Sequence, residues 1–116
     1  MRRHGRAAAA DEKVEVTALV GLQHMAIGAI QAIEEAGLKP GQDITIISID
    51  GVKGAFEAMM AGKLNVTVEC SPLLGPQLMA TVKDVVAGKQ IEPRIVTKEG
   101  IFPKEVAAAE FPNRKY

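Results

Sequence analysis

The sequence has no tryptophan, one tyrosine and three phenylalanines among its 116 residues. A site that grips its ligand by aromatic stacking would have to take its aromatics from outside this chain. There is one cysteine, Cys70, which excludes an intrachain disulfide, and no CxxC or Cys/His spacing suggests a metal site. An excess of charge is also missing: 14 Lys+Arg stand against 14 Asp+Glu, a formal net charge of zero. That removes the basic footprint needed for general binding to nucleic-acid phosphates or to an anionic membrane surface. No apolar run approaches the ~20 residues of a membrane-spanning helix, so direct insertion into a bilayer is not expected. What is present is 47% hydrophobic and 24% charged residues, enough for one modest core but not for two.

The amino terminus, MRRHGRAAAADEK, begins like a secretory signal, with a basic stretch before small apolar residues. Only Ala7 to Ala10 stand where an apolar region of at least about seven residues is needed, and Asp11, Glu12 and Lys13 interrupt it. No export signal is read. Residues 1 to about 14 are expected to be frayed or loosely helical, with Arg2, Arg3 and Arg6 as a solvated tail.

From Val14 onward short apolar runs alternate with helical stripes. Val14 to Gly21 predicts a strand. Met25 to Ala36 places Ala26, Ala29, Ile30 and Ile33 at helical spacing, with Gly37 at the C-cap. Leu38 to Asp43 contains Pro40-Gly41 and predicts a turn. Ile44 to Ile49 (ITIISI) runs apolar without alternation, as a strand covered on both faces by helices would. A second helix is predicted at about Lys53 to Ala61, and an alternating strand at Leu64 to Glu69 with Asn65, Thr67 and Glu69 on its polar side. Ser71-Pro72 predicts the cap and first position of a third helix, residues 72–87, with Leu74, Leu78, Val82 and Val85 inward. Arg94 to Thr97 predicts a last strand and Lys104 to Glu110 a short helix. The order describes an α/β fold, an open, mostly parallel sheet flanked by helices.

In such sheets ligands sit beyond the carboxyl ends of the strands. Two predicted strands end in a carboxylate there, Asp50 and Glu69. An ionised carboxylate accepts hydrogen bonds from two neighbouring hydroxyls at once, which suits a sugar. Asp50 equally suits the cap of the helix that follows it, and Glu69 a solvated strand end; the residues alone leave these alternatives open. His24, Asp50 and Cys70 offer the residue types of a nucleophile and base, but no GxSxG, phosphate loop or HExxH accompanies them, and no enzyme is expected.

The run HMAIGAIQAIEEAGLKPGQDITIISIDGVKGAFEAMMAGKLNVTVECSPLLGPQL, continuing to the terminal PNRKY, resembles the carboxyl-terminal part of periplasmic sugar-binding proteins of ABC importers. The galactofuranose-binding type is the nearest, within the group that includes ribose-binding proteins. The combination of MAIGAIQAI, ISIDG and TVEC-P carries the likeness over residues 25–116, and residues 1–24 diverge from it. The resemblance implies one lobe of a type I periplasmic-binding-protein fold, a monosaccharide as ligand, an ABC permease as partner, no cofactor and a periplasmic location. Without a signal peptide, retention in the cytoplasm is the alternative location.

Residue by residue, the resemblance gives Asp50 the role of the family's sugar-binding aspartate and places Cys70 where ribose binders have a sugar-contacting glutamine, with Glu69 beside it. Gln23 is a shifted substitute for the family's asparagine before the first helix. The family's amino-terminal lobe has no counterpart here, so a truncated or frame-shifted product is expected. The helix at 72–87 must then fold back on the sheet, meet a second copy or stay partly exposed, and self-association through its apolar face is expected. Two other functions fit less well: the effector-binding half of a sugar-responsive transcription regulator, for which residues 1–24 supply no helix-turn-helix, and a folded remnant that binds nothing.

Overall fold

The computed structural model describes residues 17–116, and the readings made on residues 1–16 lie outside the described residues. Four strands, β1 (Ala18–Leu22), β2 (Thr45–Asp50), β3 (Val66–Glu69) and β4 (Ile101–Pro103), form one sheet in that order. β1, β2 and β3 are parallel, and β4 runs antiparallel to β3. Parallel neighbours need a crossover. α1 (Gln23–Glu35) and α2 (Lys53–Met60) supply the two crossovers, and α3 (Gly75–Val86) and α4 (Ala107–Glu110) follow. The open, mostly parallel α/β sheet read from the sequence is the observed architecture.

One core lies between the sheet and α1, α2 and α4. Ala26, Ile30 and Ile33 of α1, Ala55, Phe56 and Met59 of α2, and Ile44, Ile46, Leu64 and Ala107 are all buried in it. Phe56 meets Phe102 of β4 with ring centroids 5.4 Å apart and the rings tilted by 58°. Each large apolar side chain so buried stabilises the fold by roughly 1.5–3 kcal/mol. The turn before β2 is pinned by the residue that leads into the neighbouring strand β3. Asn65 donates to the Gly41 carbonyl at 2.9 Å and accepts from the Ile46 amide at 2.7 Å. Gly41 has φ +76°, and a Cβ there would lie 2.5 Å from the Gly62 carbonyl oxygen, so only glycine fits.

The sheet is covered on one face, not on both as ITIISI suggested. Ile46, Ser48 and Thr67 point into the core and are fully buried, and Ser48 donates a hydrogen bond to Thr67 Oγ1 at 2.8 Å. Thr67, expected on the polar side of its strand, is therefore an inward residue, its hydroxyl satisfied by its cross-strand neighbour. Val20, Ile47, Val66 and their neighbours form the opposite face, which is open at its edges, where Val20 is 63% and Ile101 70% exposed.

Several boundaries also differ from expectation: the first helix starts at Gln23 rather than Met25, and the strand expected from Leu64 starts at Val66. The first strand is Ala18–Leu22. Arg94 to Thr97 is not a strand; Ile95 and Thr97 lie along α3, where Gln77 reaches the Val96 carbonyl, and the last strand comes later, at Ile101–Pro103. The third helix starts at Gly75 rather than Pro72. Pro76 explains this: without an N–H it fits only the first turn, and a helix begun at Pro72 would drive its ring against the Pro72 carbonyl. Ser71 instead accepts a hydrogen bond from the Leu73 amide at 3.2 Å.

No residue of α3 is buried. Leu74, Leu78, Val82 and Val85, expected to face inward, are all exposed, Leu78 by 60%. α3 extends from the lobe as an arm.

Candidate functional site

The strand register gathers the expected site residues at one rim. Leu22 lies opposite Ile49, and Asp50 opposite Glu69. Gln23, the residue after Leu22, opens α1, and Cys70 follows Glu69. The four therefore stand at the carboxyl ends of three neighbouring parallel strands, the position at which open α/β sheets receive ligands.

Asp50 has a backbone φ of +124°, the only non-glycine residue with a positive φ among the described residues. That conformation costs about 1–3 kcal/mol and persists only where the surroundings impose it. Gly51 continues the turn with φ +69° and sits so close to β3 that a Cβ would lie 3.1 Å from the Glu69 Cα. The Cys70 amide donates to the Asp50 carbonyl at 3.2 Å. The capping role does not hold, because Val52 occupies the N-cap of α2 and no side chain caps it. Among the described residues no donor or cation engages the Asp50 carboxylate.

Glu69 is the opposite case. Its Oε1 accepts from Arg114 Nη1 at 2.9 Å and from the Tyr116 hydroxyl at 2.8 Å, and its Oε2 accepts from the Gly100 amide at 3.0 Å. Burial alone would raise its pKa. The hydrogen bonds from Tyr116, Gly100 and Arg114, with the Arg114 charge, outweigh burial and hold it below the ordinary carboxylate value. Burial, and then the bond to Glu69, push the Tyr116 hydroxyl up, against a smaller lowering from Ser71 and Arg114. The carboxylate expected to accept from sugar hydroxyls is thus already engaged within the chain. Three donors occupy it, and it ties the end of β3 to the carboxyl-terminal segment.

Gln23 is 2% exposed, and among the described residues neither its Oε1 nor its Nε2 has a hydrogen-bond partner. Leaving such an amide unpaired costs about 1–3 kcal/mol. Cys70 is exposed and free, and His24 is exposed on α1. The amino termini of α1 and α2 both open at this rim without a side-chain cap; at α2 the Lys53 and Ala55 amides already donate to the Tyr116 and Val52 carbonyls, so the first N–H groups of α1 are the rim's backbone donors. The rim thus offers a carboxylate acceptor, an amide that both donates and accepts, and backbone donors, a set that fits hydroxyls. Among the described residues no group of three or more His, Cys, Asp or Glu could hold a metal ion.

Arg114, Tyr116 and Gly100 were not singled out from the sequence. The only available signal was the terminal PNRKY, which carries a cation and a phenol in a chain poor in aromatics. Arg114 lies over Phe102 at 4.5 Å and Phe56 at 5.0 Å, a cation held on two aromatic faces. Two apolar grooves lie away from the rim. One is beside α1 and β1, lined by Leu19, Ala29 and Leu38 among others, and the other lies between α3 and Ile95.

No protein-family model matches the chain. It is 45% identical over 92 residues to the galactofuranose-binding protein YtfQ of Escherichia coli, a match covering 78% of this chain and 29% of that protein. Among solved structures, it superimposes with a TM-score of 0.76 and 42% identity on the periplasmic binding protein of an arabinose ABC transporter from Shewanella, bound to α- and β-L-arabinofuranose. That match covers 85% of this chain and 33% of the other. A Mycobacterium smegmatis structure in complex with β-D-fucofuranose matches with a TM-score of 0.79 and 42% identity, over 88% of this chain and 34% of the other. The resemblance read from the residues is borne out, and the chain spans about a third of the length of the relatives it matches.

Proposed function

We propose that this chain, which has the fold of about a third of a type I periplasmic sugar-binding protein, forms one wall of a monosaccharide site serving an ABC importer. The observation that carries this is Asp50, a carboxylate without a partner among the described residues, in a strained conformation imposed by its neighbours, at the rim where Gln23 is buried and has no partner among them either. Strain and unsatisfied polarity both lower stability, and they persist together where a ligand uses them.

In this reading Asp50 accepts from two sugar hydroxyls, and Gln23 both donates and accepts. The open amino terminus of α1 donates to sugar oxygens, and Cys70 borders the sugar as a weak hydrogen-bonding group. Glu69 supports the site from behind. The rim is electrically suited to a neutral polyol, since Asp50 would repel an anion. A furanose is the proposed ring form: the relatives at 42–45% identity are named for, or bound to, galactofuranose, arabinofuranose and fucofuranose. Catalysis has no place in this reading. The location is the periplasm and the partner the permease of the importer.

A single wall leaves the far side of the sugar in water, which competes for the same hydroxyls, so the 116-residue chain by itself binds weakly. Titration calorimetry with furanose and pyranose sugars tests this. Weak binding that favours furanoses and is lost in Asp50→Ala supports the reading; binding that Asp50→Ala leaves unchanged overturns the site. The exposed face of α3 pairs with another surface, a second copy where the chain is alone.

A further inference from the structure

The polar cluster behind the rim joins three segments that are distant in sequence. Glu69 ends β3, Gly100 precedes β4, and Arg114 and Tyr116 lie at the carboxyl terminus; all meet at one carboxylate. The two segments that connect the α3 arm to the lobe are tied there as well. The Glu69 amide donates to the Gly100 carbonyl at 2.8 Å, and the Ser71 amide donates to Glu99 Oε1 at 2.9 Å. The carboxyl terminus also reaches the far side of the Asp50 turn: the Lys53 amide donates to the Tyr116 carbonyl at 2.8 Å. That bond satisfies one of the orphan donors at the start of α2, which no side chain caps.

The Asp50–Val52 turn is therefore gripped on both sides by groups that depend on this cluster. On one side are Glu69, against which Gly51 packs, and the Cys70 amide; on the other is the bond from Lys53 to Tyr116. Arg114 is the member best placed to hold the grip. Its side chain is 11% exposed, and its guanidinium lies over the Phe56 and Phe102 rings and ion-pairs Glu69 at 2.9 Å with Glu110 at 3.7 Å beyond. A planar cation on two rings has little freedom, so the carboxylate it binds has little either.

We infer that Arg114 is a positioning residue for the sugar site, holding Glu69 and Tyr116 so that the turn between them keeps Asp50 in its positive-φ conformation with its carboxylate unpaired. This rests on the reading of Asp50 as the sugar acceptor, and it adds that the acceptor is aimed from behind, by residues that do not touch the sugar. Arg114 also couples the rim to both connections of the α3 arm, so a displacement of that arm is felt at Asp50.

The test compares Arg114→Gln, Arg114→Lys and Asp50→Asn in the full chain by ¹⁵N-resolved NMR, without and with a furanose. In Arg114→Gln the amide resonances of Asp50, Gly51 and Cys70 are expected to move while those of Ile30 and Ile33 stay. Sugar affinity falls about tenfold, the lower end of what removing an orienting partner costs a ligating residue. Arg114→Lys, which keeps the charge without the planar fork, recovers part of both. Unmoved Asp50 and Cys70 resonances with wild-type affinity in a folded Arg114→Gln chain overturn the inference. Should Arg114→Gln not fold, Tyr116→Phe removes a single hydroxyl from the same carboxylate and must move the same amides. Wild-type affinity in Asp50→Asn would defeat the sugar reading instead, while the sugar-free resonances would still decide whether Arg114 positions the turn.

Discussion

Asp50 and Glu69 lie opposite each other in register at the ends of β2 and β3, and their carboxylates have opposite surroundings. Glu69 accepts from Arg114, Tyr116 and Gly100, whereas Asp50 has no partner among the described residues and holds a backbone φ of +124°. One carboxylate is consumed in holding the structure, and the other stands unengaged among the described residues, in a conformation that costs stability.

That cost gives Asp50→Gly a distinctive outcome. Glycine adopts positive φ freely, so the variant is expected to gain about 1 kcal/mol, read as a higher midpoint in denaturant. It should also lose most sugar binding, since a hydrogen bond to a charged acceptor is worth about 1.5–3 kcal/mol. A variant that is both less stable and still able to bind would contradict the reading.

Gln23→Leu should behave in the same way for a different reason. Replacing an amide that is buried without partners by an apolar side chain of similar size removes a desolvation penalty of about 1–3 kcal/mol. Chemical denaturation should show the variant more stable than the parent, and titration should show it a weaker binder. A loss of stability would mean that the amide is satisfied in the folded chain.

Glu69 and Tyr116 set two limits on the pH range of stability. The pKa of Glu69 is lowered in the fold, so its contribution is present above its ordinary value of 4.5 and is lost as pH falls through the lower folded value. The pKa of Tyr116 is raised, so its contribution is present below 10.0 and is lost as pH rises through the higher folded value. Thermal melting across pH is expected to show a plateau between these limits. Glu69→Gln should flatten the acid limb and Tyr116→Phe the alkaline one.

The arm α3 carries Leu74, Leu78, Val82 and Val85 in the open. At roughly 1.5–3 kcal/mol for each such side chain when covered, association is favoured. Light scattering behind size-exclusion chromatography is expected to give a mass above that of one chain, falling with dilution. Leu78→Lys with Val82→Glu should give monomers whose sheet is intact by circular dichroism.

Much of the fold was legible because its signals are local. The stripe Ala26, Ile30 and Ile33, the glycines after α1 and α2, and the β-branched run before Asp50 each specify an element within a few residues. What was not legible depends on what lies next to a segment. ITIISI reads the same whether one face or two are covered, and Thr67 looks polar until Ser48 is known to be beside it. Pro76 did hold the information that α3 starts late, but Ser71-Pro72 offered a competing start. At the site, the strand-end rule brought Asp50, Glu69, Cys70 and Gln23 to one rim. It could not distinguish the free carboxylate from the engaged one, because that difference is made by Arg114 and Tyr116, 45 and 47 residues after Glu69.

The central claim is that this rim binds a sugar through Asp50, and ¹⁵N-resolved NMR titration of the chain with a furanose tests it most directly. The expected result is a weak, saturable displacement of the Gln23, Asp50 and Cys70 amide resonances, with residues in the α3 groove unmoved and the effect abolished in Asp50→Ala. Displacements centred on α3 or on the groove beside α1, or an Asp50→Ala chain that titrates like the parent, would contradict it.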